Sequence, residues 1–192
     1  MRRDMALKWN ADRIVSISAM VIGIGSLITI GYQASLMRQA QHASVLPYLY
    51  ISINTNDQTG VRLLLSNSGI GPALVDEVHI RYQGRDFSGD PYDFILMQRP
   101  DIAKMGIGVD KVQTGRLIPA GATIQMVDLG PAVGQKLLPD VLRLFEIAEV
   151  PRAWYVALGA TNAEKAVIEI TYKSVYGDRW RVRSDRIVPE AL

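Results

Sequence analysis

The chain has 192 residues, 48% hydrophobic and 21% charged, with 21 Lys and Arg against 19 Asp and Glu. That is enough apolar material for one buried core, and it excludes wholesale disorder. The absence of cysteine removes disulfide scaffolds, thiolate-held zinc, iron–sulfur clusters and thiol nucleophiles together, and only two histidines, His42 and His79, remain for metal or relay chemistry.

The net charge of +2 divides unevenly. Residues 1–47 carry five basic and two acidic side chains, a net of +3, whereas residues 48–192 carry 16 basic and 17 acidic ones, a net of −1. A pI near 8.9 would otherwise suggest nucleic acid, but the larger part of the chain is close to neutral. No nucleic-acid partner is expected.

Residues 1–13 read as a short basic N-terminus. Residues 14–32, from Ile14 to Tyr32, hold no charge over 19 positions. As a helix they would extend about 28 Å, matching a hydrocarbon core of roughly 30 Å. Gly and Ser are frequent here, which lipid tolerates better than water does, and Tyr32 falls where amphipathic rings prefer the interface. A cleavable leader would need a shorter apolar run and a small-x-small site, yet Tyr32 stands two residues before Ala34. A buried soluble helix would show a polar stripe, and an interfacial helix a charged face. The segment therefore reads as a single-pass signal anchor, with the bilayer as its first partner. Four Lys or Arg precede it and only Arg38 follows before Arg62. The positive-inside rule then places the N-terminus in the cytoplasm and the remainder outside a bacterial inner membrane, in the periplasm.

Ser16, Ala19, Gly23 and Ser26 recur at spacings of three, four and three. Small side chains so placed allow close helix approach, so this face is the candidate for pairing with a second copy or a membrane partner. Residues 33–47 lack breakers before Pro47 and read as a helical stalk carrying His42, a solvated histidine.

Residues 48–192 read as one extracytoplasmic β domain. Alternation and β-branched content predict strands at 48–54, at 61–66 after an Asn/Asp/Gly turn, and at 77–82. In the third, Val78, Ile80 and Tyr82 share the buried face, and His79 lies on the wet one. Residues 83–113 are rich in Gly and Pro and read as an irregular loop of the kind that carries function. Strands resume at 116–119 and 123–127. A helix is expected over 139–149, with Pro139 in its first turn and a stripe of Leu138, Val141, Leu142, Phe145 and Ala148. Further strands follow at 154–158, 166–172 and 179–183. A three-residue loop at 176–178 would set Tyr172 opposite Val182, Ser174 opposite Trp180, Lys173 opposite Arg181 and Thr171 opposite Arg183. A two-residue loop would mix the faces. The fold class expected is mainly β: an Ig-like antiparallel sandwich with one short internal helix, behind a single N-terminal transmembrane helix.

The segment Leu65-Ser-Asn-Ser-Gly-Ile-Gly-Pro-Ala73 is the most distinctive. Asn67 can bond its own backbone two residues on, Gly69 and Gly71 can take positive φ, and Pro72 fixes the exit, so it reads as a structural turn. It fits no phosphate or dinucleotide loop. With the preceding membrane helix, the Pro47-Tyr48-Leu49 strand and the Tyr172–Trp180 hairpin, it resembles a class of small, mostly uncharacterised bacterial membrane-anchored β-sandwich proteins. That resemblance implies architecture and brings no catalytic or binding residues.

Lys173, Arg179, Arg181 and Arg183 form a basic ladder outside the last hairpin. It is either answered by acids such as Glu169 and Asp185 or is a candidate contact for headgroups or an acidic partner. Asp86, Asp90 and Asp93 could bind calcium, but their spacing matches no known loop, and the bland reading is solvated acids. No serine stands in a nucleophile motif with a companion base, so no catalytic residue, cofactor or metal ligand is assigned. The sequence thus predicts a non-enzymatic accessory or scaffold module that binds a protein through the 83–113 segment or the basic hairpin. The alternative is a membrane-anchored ligand or glycan sensor, with calcium at the three aspartates.

Overall fold

The computed structural model describes residues 3–56, 58, 60–157, 159 and 164–192. The chain divides into two compact units, Met1–Ala43 and Ser44–Leu192. The first is a continuous helix, α1, spanning Arg3–Ala43. Within it Ala11–His42 is long and apolar enough to cross a membrane. Its large apolar side chains from Ile14 to Met37 stay 45–70% exposed on every side, with no polar stripe. Ser16, Ser26 and Thr29 return their hydroxyls to the carbonyls of Asp12, Ile22 and Gly25, which satisfies these three polar groups within the helix. The stalk is helical only to Ala43, and Arg2 lies outside the described residues.

The second unit holds two antiparallel sheets. One has three strands in the order β1 (Leu49–Asn56), β2 (Gly60–Asn67) and β6 (Thr123–Leu129). The other has six: β4 (Arg85–Ser88), β3 (Ala73–Tyr82), β7 (Val167–Lys173), β8 (Arg179–Arg183) and β9 (Glu190–Ala191) in that order, with β5 (Leu117–Ile118) also on β3. Alternation decides which faces turn inward. Leu49 and Ile51, Leu63 and Leu65, Ile168 and Ile170, and Val182 are all nearly inaccessible, and one core draws on both sheets. Burying a side chain of this size stabilises by about 1.5–3 kcal/mol. The Asn/Asp/Gly turn between β1 and β2 includes Asp57, which lies outside the described residues.

Several expectations are corrected. Residues 83–113 are ordered as β4, helix α2 (Pro91–Gln98) and a 3-10 turn (Pro100–Lys104), because Asp90 caps α2 and Pro91 suits its first turn. The internal helix is α3 (Pro131–Leu144), started by Pro131 rather than Pro139, which sits inside it. Burial of Leu137, Val141 and Leu142 offsets the amide that Pro139 lacks. Residues 152–157 form a helix, α4 (Arg152–Ala157), not a strand; Tyr155 alone is buried, and Leu158 lies outside the described residues. Among its described residues the unit therefore has three α-helices rather than one.

The hairpin joining β7 and β8 has a three-residue loop, but at residues 175–177. Ser174 N–H donates to Asp178 O at 2.8 Å, and Gly177 takes φ +91°. Glycine thus occupies the loop position that demands positive φ, which the expected loop would have given to Asp178. Tyr172 faces Trp180 and Lys173 faces Arg179, while Thr171 faces Arg181. The register moves by two, so every side chain keeps its expected face.

The Asn67 turn is built by close approach. Asn67, 1% exposed, accepts from Tyr48 and Gly69 N–H and donates to the carbonyls of Gly71, Ile118 and Pro119. Gly69 and Gly71 do not take positive φ. A Cβ on Gly69 would meet Leu46 O at 2.3 Å, and one on Gly71 would strike the Val45 carbonyl. Pro72 leads from this turn into β3.

Asn67→Ala orphans buried amide and carbonyl groups and should cost about 3 kcal/mol. Asn67→Asp, which aims a carboxylate at three carbonyls, should cost at least as much; urea midpoints of the full chain in detergent check both. Tyr172, fully buried, accepts from Leu49 N–H at 3.3 Å and stacks on Trp180. Burial pushes its phenol up to about 12, against about 10 in an unfolded chain. The neutral form is favoured by folding, so this contribution is whole below pH 10 and is lost as pH rises towards 12, by roughly 2–3 kcal/mol. Tyr172→Phe should lose about 1 kcal/mol at neutral pH and lessen the alkaline fall in the urea midpoint.

Candidate functional site

The edge of β3 opposite β7 is shared by two strands with a gap between them. β5 pairs with Ala73 and Leu74, and β4 pairs with His79 to Tyr82. Between them the register of β3 against β7 shifts across Val75 and Glu77, leaving Asp76 as a bulge. Bulges bend a strand and re-aim its side chains. The outcome is a groove of about 460 Å³ walled by β3, the β4–α2 turn and residues 112–114. That volume lies within the usual range for small-ligand sites.

Asp90 holds the groove's far wall. Its Oδ1 accepts from Tyr92 N–H at 2.8 Å and its Oδ2 from Val112 N–H at 2.6 Å, so one carboxylate caps α2 and pins the 112–114 segment. Burial pushes its pKa up, against the two amide bonds that lower it. Asp93 pairs with Lys111 at 2.8 Å across the mouth. On the near wall, His79 Nδ1 shares a hydrogen bond with Ser88 Oγ at 3.2 Å, and His79 Nε2 lies 3.4 Å from Glu77 Oε2. Glu77 and His79 are half exposed, so the row is a solvated set of donors and acceptors suited to a polar ligand. The face of β3 expected to carry His79 does so, and the 83–113 segment supplies the opposite wall.

The three aspartates do not converge. Asp86 binds Arg81 and Asp93 binds Lys111, while each Asp90 oxygen accepts a backbone amide. Among the described residues no group of three His, Cys, Asp or Glu side chains could hold a metal.

The basic ladder lies on the outer face of the larger sheet and is closely answered. Lys173 and Arg179 both grip Asp76, at 2.8 and 3.2 Å. Arg183 meets Glu169 at 3.3 Å and Asp185 at 2.8 Å, and Arg81 reaches the same Glu169 oxygen at 3.4 Å. Arg181, opposite Thr171 and Glu190, is the member with no ion pair among the described residues. Asp76 escaped the sequence reading. Its signal is the Asp76-Glu77 doublet, two successive polar residues that interrupt an alternating strand, as a bulge does.

A second cavity, of about 380 Å³, opens beside α4. Tyr155 Oη accepts from Ile147 N–H there and donates back to Ile147 O. Lys165 Nζ sits 3.2 Å from the Tyr155 ring centroid, and burial pushes its pKa down. In the first unit, Ser16, Ala19, Gly23 and Ser26 are exposed, and a Cβ on Gly23 would meet nothing within 4 Å.

No protein-family model matches the chain, and neither does any curated protein or solved structure.

Asp76→Ala leaves Lys173 and Arg179 facing one another across the hairpin. Both are well solvated, so the loss should be about 1 kcal/mol, larger at low ionic strength than in high salt. Urea midpoints of the variant at two salt concentrations measure it.

Proposed function

We propose that the chain is a single-pass, membrane-anchored binding module. In this reading α1 crosses the inner membrane of a bacterium with its N-terminus in the cytoplasm, and the β unit works on the periplasmic side as an accessory or scaffold subunit. The observation that carries it is α1 itself: an uncharged stretch whose apolar side chains lie uncovered on all sides and whose Ser16, Ser26 and Thr29 hydroxyls are bonded within the helix. Water penalises that surface, and a bilayer rewards it. The excess of basic residues before the stretch supports the orientation.

Two antiparallel sheets around a common core support an Ig-like sandwich, a form that displays a fixed surface. The binding surface on this reading is the groove beside β3, since the basic hairpin spends most of its charge on Asp76, Glu169 and Asp185. The partner is a protein segment with polar side chains for His79, Ser88 and Glu77. The face of Ser16, Ala19, Gly23 and Ser26 offers a place for a second copy or a membrane partner to pack. A small polar ligand such as a glycan is the second reading, favoured by the groove's volume.

The full-length chain should sediment with membranes and stay there through alkaline extraction. An impermeant maleimide on intact cells with a permeabilised outer membrane should label Gln58→Cys and spare Ala11→Cys. Recovery in the soluble fraction overturns the anchor, and the reverse labelling overturns the orientation.

A further inference from the structure

The exposed apolar side chains of the β unit are unevenly spread. Of twelve large ones among its described residues, six gather at one end: Leu46, Ile70, Leu117, Val175, Tyr176 and Leu192, each 44–68% exposed. The register brings them together. Leu117 and Lys173 lie opposite Leu74 on its two sides, at the start of β3, and the Val175–Gly177 loop continues past that point. Ile70 N–H donates to Leu46 O at 3.1 Å, and Leu192 N–H to Arg179 O at 3.0 Å. The turns at the opposite end present Asn56, Gln58, Gln83 and Arg85, with Ile187 and Val188 exposed there and Trp154 and Val156 on the neighbouring α4.

We infer that this apolar rim seats in the headgroup layer of the bilayer. The inference rests on the membrane reading of α1. Leu46 stands three residues after Ala43, where α1 ends, so the rim surrounds the point at which the chain arrives. Arg13 and Arg38 bound an uncharged stretch of 24 residues, about 36 Å of helix against a hydrocarbon core of roughly 30 Å. With Arg38 reaching the phosphates, the six helical residues 38–43 add about 9 Å. The chain then leaves the helix near the outer margin of the headgroups, within a side chain's reach of them. Aliphatic residues flanking an exposed tyrosine suit that layer.

Charge selects the kind of lipid contact. Lys173 and Arg179, beside the rim, share Asp76, and Arg116, next to Leu117, pairs with Asp110. The seat is therefore apolar, and it takes zwitterionic lipid as readily as anionic. A soluble partner would meet the opposite end first, since the tether keeps this one against the membrane.

The native lack of cysteine permits single labels in the full-length chain. Val175→Cys, Ile70→Cys, Gln58→Cys and Ile22→Cys would each carry an environment-sensitive fluorophore, in nanodiscs of phosphatidylcholine holding one copy. Lipids bearing a shallow nitroxide should quench the labels at 175 and 70 several-fold more than the label at 58, and equally so when phosphatidylglycerol is added. If a deep nitroxide quenches the label at 22 while those at 175, 70 and 58 stay alike, the rim inference falls and the anchor stands. If the label at 22 is not quenched either, the anchor falls and takes the rim with it. Shielding at 175 and 70 that appears only when two copies share a disc assigns the rim to a second copy and overturns the lipid seat.

Discussion

The side chain of Asn67 is the interaction on which the β unit most depends. It stands at the end of β2, where the chain must leave one sheet and begin β3 in the other, and its amide joins two distant segments, the start of β1 and the Ile118–Pro119 carbonyls, to its own turn. A buried side-chain amide is suited to this task because it donates and accepts at once. The glycines on either side of Ile70 make the arrangement possible, since residues 45–48 press against their α-carbons. Register follows. With Leu49 opposite Asn67 and Ala73 opposite Ile118, the inward residues of both sheets meet in one core.

What the sequence made legible followed from local period. The strands around Tyr50, Leu64, Ile80, Ile170 and Val182 alternate, and alternation is a property of neighbours. The uncharged run of α1 needed only counting. The errors came where local signals were balanced and tertiary contacts decided. Ala153 to Ala157 contain Trp, Tyr and Val, which favour strands, yet they form a helix in which Tyr155 is buried and bonded to the Ile147 backbone. Pro139 looked like a helix start because nothing local showed that Pro131 held that position. In the last hairpin the parity was recoverable and the absolute register was not, because parity depends on faces and register on where glycine falls.

The site was less legible than the fold for a related reason. A groove at a sheet edge exists because β4 and β5 leave β3 at different points, and no single segment encodes a gap between two others. Asp90 is instructive. As sequence it is one of three loop acids; in the structure it is the cap of α2 and the clasp of the 112–114 segment. Each of its two oxygens accepts a backbone amide, a structural role that its place among three loop acids does not reveal.

The same logic of prior commitment applies to the outer face of the larger sheet. Cations stacked across a hairpin repel, and the cost falls only if carboxylates are set among them. Asp76 can serve two cations because the bulge turns it out of the strand's alternation, and Glu169 serves two because it lies between Arg81 and Arg183. A face arranged in this way is electrically quiet despite its many charges. It resists non-specific attraction to anionic surfaces, which accords with the membrane-anchored reading proposed above, since headgroups beside a bilayer are at high local concentration. Selective contact must then come from surfaces that are not internally compensated. In the β unit these are the solvated polar row of the groove and the uncovered apolar residues around the point where the chain arrives.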